Sequence, residues 1–341
     1  MITTTATSAS APDWSDGTLV CKQVHDLTTD VRTFVLEPTV PRLFRHDPGQ
    51  FLTLSLDIDG RTVERCYTIS SPPTRPHLAA VTVKRIPGGL VSNWLHDHLT
   101  PGTTLRARGP LGLFSLARHP SPKYLFLSAG SGVTPMMSMT RTLYDLADPA
   151  DVLFVHSART PGDVIFRREL DLIAATAPGV RVAYTGGGHG RLNARLLADI
   201  APDLHEREVF SCGPVGYMDA VRSMLTDTGF DMARHHEESF TFAEPAELPV
   251  VTTGDTYKVE FTRTRRTIEC DAGTPVLAAA ARAGLSLPAS CAQGICGTCK
   301  TTLIAGSVDM QHNGGIRPRE IAQNKILLCC SKPLGDLVVD A

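Results

Sequence analysis

The sequence lacks a long apolar run, an excess of positive charge and a recognisable secretion signal. No stretch reaches the roughly 18 uninterrupted apolar residues of a transmembrane helix, although hydrophobic residues make up 42% of the 341 residues. Lysine and arginine (33) nearly balance aspartate and glutamate (35), so no basic surplus attracts nucleic acid or an anionic membrane. Residues 1–13 have neither a basic nor an apolar segment, which predicts a disordered tail. These absences favour a cytoplasmic protein without membrane insertion or a nucleic-acid partner.

Cysteine is present in a pattern that indicates a metal centre. Cys291, Cys296 and Cys299 follow C-x4-C-x2-C, and Cys329 stands alone downstream, next to Cys330. This spacing is typical of a plant-type [2Fe–2S] site, whose iron is held by soft thiolates. A zinc site is the alternative, but structural zinc usually pairs two short Cys or His knuckles. The other five of the nine cysteines are scattered, which favours a reducing compartment over a disulfide framework.

The first third of the chain predicts a small antiparallel β-barrel. Short β-type runs alternate with turn residues through residues 17–118. Alternation along the run 65–71 places Arg65 and Tyr67 on one face, and Thr68 and Ser70 on the other. A guanidinium suits a pyrophosphate, an aromatic ring can lie against a flavin, and a hydroxyl can hydrogen-bond the reactive flavin nitrogen.

The middle of the chain predicts a parallel sheet with helices on both faces. An apolar strand from residue 123 runs into Gly130-Ser131-Gly132, and Thr134 lies at the start of a Met-rich helix. Strand, glycine turn and helix form the phosphate-binding unit of doubly wound folds. The third glycine of G-x-G-x-x-G is absent, so the ordinary Rossmann fingerprint is not indicated. Two further strand–helix units follow, and a last strand leads into Cys212-Gly213-Pro214.

A dinucleotide-binding unit of this kind can take NADH or NADPH, and the residues leave the choice open. The end of the second strand, where an acidic residue would accept the ribose 2′-hydroxyl, has Ser157 and Arg159 instead. An arginine there can accommodate a 2′-phosphate, so NADPH stays possible beside NADH.

The last third changes pattern again. Prolines and polar residues at 244–255 predict a linker. From Tyr257 two alternating runs predict a hairpin, and Thr274 is the expected cap of an Ala-rich helix that precedes the cysteine loop.

Three motifs in a fixed order carry a resemblance to a known family. The run Arg65 to Ser71 resembles the R-x-Y-[ST]-x-x-S flavin motif of the ferredoxin–NADP reductase superfamily. Gly130 to Pro135 resembles its G-x-G-x-x-P turn, and the segment from Tyr257 resembles plant-type ferredoxin. The order flavin, nicotinamide, [2Fe–2S] resembles the reductases of Rieske-type oxygenases and demethylases, and the hybrid-cluster protein reductases.

The resemblance implies a multidomain β, α/β and α+β protein. A tail (1–16) would precede an antiparallel FAD-binding β-barrel (17–118) and a doubly wound, parallel-sheet NAD(P)-binding domain (119–243). A linker (244–255) would lead to a β-grasp ferredoxin domain (256–341). The G-x-x-S form around Gly89 and Ser92 resembles the FAD-binding rather than the FMN-binding branch, and residues 159–170 resemble NADH-using relatives.

The resemblance also assigns residues to the cofactors. The implied FAD-binding residues are Arg65, Tyr67, Thr68, Ser70, Val83, Lys84, Gly89, Leu90, Val91, Ser92, Thr134 and Phe240. Ser92 would in addition cap a helix over 93–99. The implied NAD(P)H-binding residues are Gly130, Ser131, Gly132, Thr134, Ser157, Arg159, Cys212, Gly213 and Pro214.

The implied catalytic residues on the hydride path are Thr68, Cys212 and Glu238. Cys291, Cys296, Cys299 and Cys329 would hold the cluster. Pro333 after the last cysteine is similar to ferredoxin and favours Cys329 over Cys330.

The combination predicts an NADH-dependent reductase that passes electrons from NADH through FAD and [2Fe–2S] to a partner protein. A nicotinamide delivers two electrons as hydride, whereas a metallo-oxygenase accepts them singly, so a flavin and a one-electron cluster are needed between them. A Rieske-type oxygenase is the favoured acceptor, and a hybrid-cluster protein or an acyl desaturase is the alternative. A flavin oxidase or nitric-oxide-type dioxygenase with an accessory cluster, and a redox-sensing iron–sulfur flavoprotein, are further alternatives. No two-His-one-carboxylate oxygenase site can be assigned, so the terminal substrate would be bound by the partner.

Overall fold

A computed structural model describes residues 16–187, 190–238, 254–285, 287–289, 294, 297, 299–312, 315–316 and 318–341. None of the helices in these ranges has the length and apolar character needed to span a bilayer.

The first part is a six-stranded antiparallel sheet in the order β4-β3-β6-β1-β2-β5. Its elements are β1 (Asp16–Thr28), β2 (Val31–Pro38), β3 (Phe51–Ile58), β4 (Arg61–Thr68), β5 (Ala79–Lys84), α1 (Leu90–His98) and β6 (Thr104–Leu111). Asp59 (φ 52°) and Gly60 (φ 73°) make the two-residue turn between β3 and β4, because both central residues of such a hairpin need positive φ. Ile69, just past β4, bridges Val81 of β5 at the other edge of the sheet, which closes the barrel.

The second part is a five-stranded parallel sheet in the order β11-β10-β7-β8-β9. Its elements are β7 (Lys123–Ala129), α2 (Val133–Asp145), β8 (Asp151–Ser157), α3 (Arg167–Thr176), β9 (Val180–Thr185), α4 (Ala194–Ile200), β10 (Glu208–Cys212), α5 (Val215–Asp227) and β11 (His235–Glu238).

Separate apolar clusters cover the two faces of this sheet. Met136, Met137 and Met139 of α2 are fully buried in the cluster that also contains α3, whereas α4 and α5 pack in the other cluster. The predicted doubly wound architecture is therefore confirmed.

One buried arginine joins the amino ends of the parallel strands. Arg207 is 0% exposed, and its Nη1 donates to the carbonyls of Tyr124 (3.0 Å) and Asp151 (3.2 Å). Its Nε and Nη2 donate to the carboxylates of Asp203 (2.8 and 2.9 Å) and Asp151 (2.8 Å). The hydrogen bond from Arg207 is the main cause that lowers the pKa of Asp203 to about 2. β7, β8 and the segment before β10 are thus held together at the end of the sheet where the strands begin.

The third part is a five-stranded mixed sheet in the order β13-β12-β18-β14-β16, with β15 and β17 paired beside it. Its elements are β12 (Thr256–Phe261), β13 (Arg266–Asp271), α6 (Val276–Arg282), β14 (Lys300–Ala305), β15 (Val308–Met310), α7 (Pro318–Ile321), β16 (Lys325–Leu327), β17 (Ser331–Pro333) and β18 (Leu337–Val339). α6 packs on this sheet around Val259, Phe261 and Leu327. The predicted ferredoxin-like architecture is confirmed.

Two predicted helix caps are wrong. α1 begins three residues earlier than expected, with Gly89 as its N-cap, so Ser92 lies inside the first turn. Its hydroxyl accepts from the Ile86 N–H (3.1 Å) and so supports the preceding loop. α6 begins after Pro275, and the Thr274 hydroxyl has no hydrogen-bond partner within the described ranges.

Candidate functional site

A cavity of about 330 Å³ lies where the barrel meets the glycine turn of the parallel sheet. The end of β4, the end of β5 and the start of α1 form its barrel side, and two residues near the start of α2 contribute from the other unit. Ten residues predicted from the sequence line it: Arg65, Tyr67, Thr68, Lys84, Gly89, Leu90, Val91, Ser92, Ser131 and Thr134. Three that sequence reasoning missed, Cys66, Thr82 and Ile86, also line it.

Both faces of β4 contribute to the cavity, which the alternation rule did not anticipate. Arg65 and Tyr67 belong to one face, and Cys66 and Thr68 to the other, yet all four line the same space. The reason is the position of β4 at the edge of its sheet, where a cavity can reach around the strand.

Two predicted flavin contacts do not line the cavity. The Ser70 hydroxyl is fully buried, 3.1 Å from the Ala80 carbonyl and 2.9 Å from Thr82 Oγ1. The side chain of Val83 belongs to the barrel core. Ser70 therefore supports the cavity wall through Thr82, which does line the cavity.

Thr68 carries an unsatisfied hydroxyl in this cavity. Its Oγ1 is buried and has no hydrogen-bond partner among the residues that the structure describes. Most buried polar side-chain atoms in proteins are hydrogen-bonded. The orphaned hydroxyl fits a ligand atom in the cavity, as a flavin ring would supply.

The start of α1 and two cations suit the phosphates of such a ligand. The nine-residue helix opens with Leu90, Val91 and Ser92 on the cavity, and none of its first-turn side chains is acidic. The backbone N–H groups at a helix start favour phosphate. Arg65 and Lys84 add positive charge, and Lys84 is also paired with Asp30 at 3.1 Å.

The two glycine turns of the parallel sheet touch through their backbones. A Cβ on Gly132 would lie 2.3 Å from the Cys212 carbonyl oxygen, and one on Gly213 would lie 3.1 Å from the Cβ of Ala129. Glycine is therefore required by space at Gly132. This contact brings Gly132 of the first turn against Cys212 and Gly213 of the second, and Pro214 is the N-cap of α5.

Cys212 and Glu238 are neighbours at the carboxyl ends of β10 and β11. The two residues are paired in register and both are buried. Burial raises the pKa of Glu238 to about 8, and its Oε2 has no partner in the described ranges. Burial, and secondarily the Glu238 carboxyl, raises the pKa of Cys212 well above its usual value. At neutral pH the pair is therefore a thiol beside a predominantly protonated acid, with little charge.

Ser157 ends β8 and Arg159 lies two residues beyond it, as predicted. The two side chains have different surroundings. The Ser157 hydroxyl is 2.6 Å from Thr185 Oγ1 on the neighbouring strand. Arg159 is 77% exposed and 3.8 Å from Asp163, and it borders a groove with Asp30 and Lys84. An arginine this exposed can reorient toward a phosphate.

Sequence reasoning gave no signal for His156, which precedes Ser157 on β8. It is fully buried on β8, and its Nδ1 lies 2.9 Å from Ser128 Oγ. Burial lowers the pKa of His156 to about 4, so the imidazole is neutral at physiological pH. Only the pairing of β7 with β8 reveals this contact.

Two of the four predicted cluster cysteines are described, and they lie close together. Cys299 and Cys329 are buried at 5% and 3% exposure. The Gly294 N–H donates to Cys329 Sγ (3.2 Å), and the Cys329 N–H donates to Cys299 Sγ (3.4 Å). Backbone N–H groups aimed at sulfur suit thiolate ligands of an iron–sulfur cluster. Cys330 is only partly buried, with its Sγ 3.7 Å from the Leu327 carbonyl oxygen.

Three predicted site residues fall outside the described ranges: Cys291, Cys296 and Phe240.

Family models match three segments of the chain. They are an oxidoreductase FAD-binding domain at residues 18–116, an oxidoreductase NAD-binding domain at 126–223 and a 2Fe-2S iron-sulfur cluster binding domain at 259–334. The three cofactors expected from the sequence are therefore supported by three independent matches.

Relatives align along nearly the whole chain. The glycine betaine monooxygenase reductase subunit of Pseudomonas aeruginosa is 46% identical, and the alignment covers 96% of both chains. The stachydrine N-demethylase reductase subunit of Rhizobium meliloti is 42% identical, with 96% of this chain and 98% of the relative covered. The solved phthalate dioxygenase reductase has the same fold, with a TM-score of 0.60 at 23% identity over 96% of this chain and 98% of that chain.

Proposed function

The chain belongs to the family of electron-transfer reductases that serve oxygenases and demethylases through FAD-, NAD- and [2Fe–2S]-binding domains, and on that basis we propose that it passes electrons from NADH to a Rieske-type oxygenase component. The observation that carries the proposal is a cavity that is lined both by β4, which has the predicted flavin motif and is called the flavin strand below, and by the glycine turn of the parallel sheet. A nucleotide held at that turn would have its reactive ring next to Thr68.

Arg65 and the start of α1 would bind the FAD diphosphate, and Tyr67 would border the ring system. When bound, FAD accepts two electrons as hydride and releases them one at a time, which is the conversion that a nicotinamide donor and a one-electron acceptor require. The Thr68 hydroxyl, which has no other partner in the described ranges, would orient the ring by a hydrogen bond.

Cys212 and Glu238 would keep the nicotinamide side of the site dry and nearly uncharged. Both are buried, and the raised pKa of Glu238 leaves its carboxyl mainly protonated at pH 7. A protonated carboxyl can donate a hydrogen bond as well as accept one, whereas an ionised carboxylate can only accept. Cys291, Cys296, Cys299 and Cys329 would hold the cluster that delivers the electrons outward.

The names of the relatives indicate which electron-acceptor protein to test first. Those at 46% and 42% identity are named as reductase subunits for glycine betaine monooxygenase and stachydrine N-demethylase. Glycine betaine and stachydrine are both quaternary ammonium carboxylates. We therefore place an oxygenase for a substrate of this class first among the acceptors to test.

The test is an anaerobic titration of the purified protein with NADH and, separately, NADPH, with flavin and iron–sulfur absorbance followed together. We expect NADH to bleach both chromophores, and NADPH to do so only at much higher concentration. Bleaching of the flavin alone would refute the electron path to the cluster, and NADH consumption in air without any partner would favour an oxidase.

Addition of a purified oxygenase component then tests the acceptor. We expect the reduced protein to produce the electron paramagnetic resonance signal of a reduced Rieske centre and NADH-dependent turnover of glycine betaine or stachydrine. Electron delivery to a hybrid-cluster protein or a desaturase, with none to the oxygenase, would reassign the partner.

A further inference from the structure

Helix α2 holds the segment that follows the flavin strand at three successive positions. Ser138 Oγ donates to the Ser71 carbonyl (2.8 Å), and Arg141 Nη1 donates to the Ser70 carbonyl (2.6 Å). Asp145, at the end of the helix, accepts from Arg75 (2.8 Å). The same helix starts at the glycine turn, and its Thr134 lines the flavin cavity. α2 therefore joins the nicotinamide side of the site to the flavin side.

Arg141 is the centre of this junction. Its Nε and Nη2 donate to the two carboxylate oxygens of Glu169 at 2.7 and 2.6 Å, and its guanidinium lies 4.7 Å from the centre of the Phe166 ring. The Arg141 side chain is only 13% exposed and that of Glu169 is 38% exposed, and bidentate charge-assisted hydrogen bonds of this kind are stronger and more specific in geometry than neutral ones. One side chain thus connects α2, the start of α3 and the segment that follows the flavin strand.

Phe166 is held in an uncommon backbone conformation. It is a buried aromatic residue with φ 62° and ψ 19° immediately before α3. A bulky residue in the left-handed region costs free energy and persists where its surroundings fix it. The guanidinium over the ring and the bidentate pair to Glu169 supply such surroundings.

Ser70 is fixed from the barrel as well. Its N–H donates to the Ala80 carbonyl (2.8 Å), and its hydroxyl lies 2.9 Å from Thr82 Oγ1. Ser70 comes two residues after Thr68, so its position determines where the strand presents the unsatisfied Thr68 hydroxyl. The Arg141 hydrogen bond to the Ser70 carbonyl transmits this position directly to α2.

We propose that Arg141 is a positioning residue for hydride transfer, because it fixes the glycine turn at Gly130–Gly132, where α2 begins, relative to the flavin strand. The proposal rests on the part of the proposed function that places the flavin against Thr68. Arg141 lies seven residues beyond Thr134 on α2, about 10 Å along the helix axis, so it acts through the two chain segments and does not touch the reacting atoms. A misplacement of about 1 Å costs roughly 100-fold in rate in such reactions.

Arginine is required by this geometry. The planar guanidinium presents five donors in fixed directions, which lets one group bind both Glu169 oxygens and the Ser70 carbonyl. A lysine keeps the charge but has a single ammonium that cannot reproduce the fork, and a methionine keeps the length without donors. Arg141→Met and Arg141→Lys therefore separate the contribution of the fork from that of the charge.

The test compares these variants with wild type and with Arg75→Met by anaerobic stopped-flow reduction of the bound flavin. Arg75 is on the same interface and pairs with the same helix, but it is 54% exposed and lies at the far end of α2. For both Arg141 variants we expect flavin reduction at saturating NADH to be at least about tenfold slower, with the NADH dissociation constant and FAD content unchanged. We expect the Arg75→Met rate to equal that of wild type.

Two further measurements report geometry rather than rate. With NADH dideuterated at C4, the kinetic isotope effect of the Arg141 variants should become more temperature-dependent than that of wild type, because the donor–acceptor distance is less restricted. With a non-reducing tetrahydro-NADH, the long-wavelength absorbance from nicotinamide–flavin stacking should weaken at unchanged affinity. The isotope effect and the stacking absorbance would equal those of wild type if Arg141 contributed only to the stability of the fold.

Wild-type rates and stacking absorbance in both Arg141 variants would overturn the proposal. A loss of NADH affinity without a change in the saturated rate would make Arg141 a binding residue, which also overturns it. If Arg141→Met does not fold, Arg141→Lys decides. Failure of NADH and NADPH to reduce the wild-type flavin would instead refute the proposed function, and no acceptor protein enters this test.

Discussion

Thr68 and Glu238 are buried residues that each have a polar atom without a hydrogen-bond partner in the part of the chain that the structure describes. An unsatisfied buried group costs free energy, commonly about 1–3 kcal/mol. Both atoms belong to residues that the sequence motifs assign to the hydride path. We interpret this loss of stability as the cost of keeping groups ready for ligands that the protein binds.

Thr68→Val tests this interpretation for the hydroxyl. The substitution keeps the shape of the side chain and removes the unsatisfied oxygen, so we expect the stability of the protein without FAD to be unchanged or higher. Flavin reduction by NADH should slow by about tenfold, the value of one hydrogen bond. Stopped-flow absorbance and thermal unfolding measure the two effects.

Thr140→Val is the matched control for Thr68→Val. Thr140 is a second buried threonine whose hydroxyl has no partner within the described ranges, and it lies within α2 away from the cavity lining. Flavin reduction at the wild-type rate is expected. An equal slowing in both variants would contradict a specific role of Thr68.

Glu238→Gln tests the protonation state of the buried acid. Because burial raises the pKa of Glu238 from 4.5 to about 8, the folded state binds more protons than the unfolded state between these pH values. Stability is then highest below the unfolded pKa and falls as pH rises toward the folded pKa, by about 1.4 kcal/mol per pH unit for this group alone. The glutamine variant should lack this component in urea unfolding followed at several pH values.

Infrared difference spectra between wild type and Glu238→Gln provide the direct measurement. We expect a protonated-carboxyl C=O band in the wild type at about pH 6 that is lost near pH 10. A wild type with an ionised carboxylate at pH 6 would contradict the assignment.

The extent to which residues of the site could be predicted depends on how local their patterns are. Arg65, Tyr67 and Thr68 lie within four residues of one another, and all three line the cavity. Arg141 was missed, because its partners Ser70 and Glu169 are 71 and 28 residues away in the sequence and no local pattern encodes these contacts. His156 was missed for the same reason, since its contact with Ser128 arises only from strand pairing.

At the scale of elements, the contact between the two glycine turns determines how close the loop after β7 lies to the loop after β10. We predict that Gly132→Ala destabilises the parallel-sheet unit by about 1–3 kcal/mol, because the new Cβ would be forced into backbone. The Cβ would lie 2.3 Å from the Cys212 carbonyl oxygen. NAD⁺ affinity, measured by titration calorimetry, should fall together with the unfolding temperature.

Gly216→Ala is the control for the glycine turns. Gly216 is the second residue of α5, and a Cβ there would meet no atom within 4 Å. Alanine is a better helix former than glycine by up to about 1 kcal/mol, so this variant should be slightly more stable with unchanged NAD⁺ affinity. Equal losses in both variants would disprove the steric argument.

Elements with an apolar pattern were predictable, and polar or capping ones were not. The strands beginning at Lys123, Asp151 and Glu208 follow from their apolar runs. β11 was missed as a strand because its sequence, His-His-Glu-Glu, is polar, and only its pairing with β10 makes it extended. The cap at Ser92 was wrong because its hydroxyl instead supports the preceding loop through Ile86. The cap at Thr274 was wrong because α6 begins one residue later than expected, after Pro275.

At the scale of the whole molecule, the flavin and cluster functions should be separable by single substitutions. We predict that Cys329→Ser removes the [2Fe–2S] absorbance but leaves reduction of the flavin by NADH within about twofold of wild type, since the two centres are bound by different parts of the chain. Electron delivery to the acceptor should be abolished. Anaerobic absorbance titration measures all three quantities. Cys296→Ser is expected to behave in the same way.

Cys330→Ser is the natural control for Cys329→Ser. The two cysteines are adjacent, but Cys330 is only partly buried and Cys329 accepts the Gly294 N–H. Cys330→Ser should retain the cluster. Loss of the cluster in Cys330→Ser together with its retention in Cys329→Ser would exchange the predicted ligands.

The three-part architecture was predictable because each part has its own sequence pattern. The first has alternating β-type runs, the second has strand–glycine–helix units, and the third has a cysteine loop after a hairpin and a helix. The junction between the flavin and nicotinamide parts was not predictable. It is made by contacts such as Ser138 with Ser71, which no local pattern encodes.

The arginine at the amino ends of the parallel strands has a consequence for protein engineering. Arg207 anchors β7, β8 and the segment before β10 at the opposite end of the sheet from the loops that are predicted to bind the nucleotide. The Arg207 hydrogen bonds lie at the amino ends of the strands, and the predicted nucleotide-binding loops lie at the carboxyl ends. The loops after β8 and β10 can therefore be redesigned, for example to change nucleotide preference, without altering the Arg207 contacts. The same separation would let natural variants drift in cofactor choice while the scaffold stays folded.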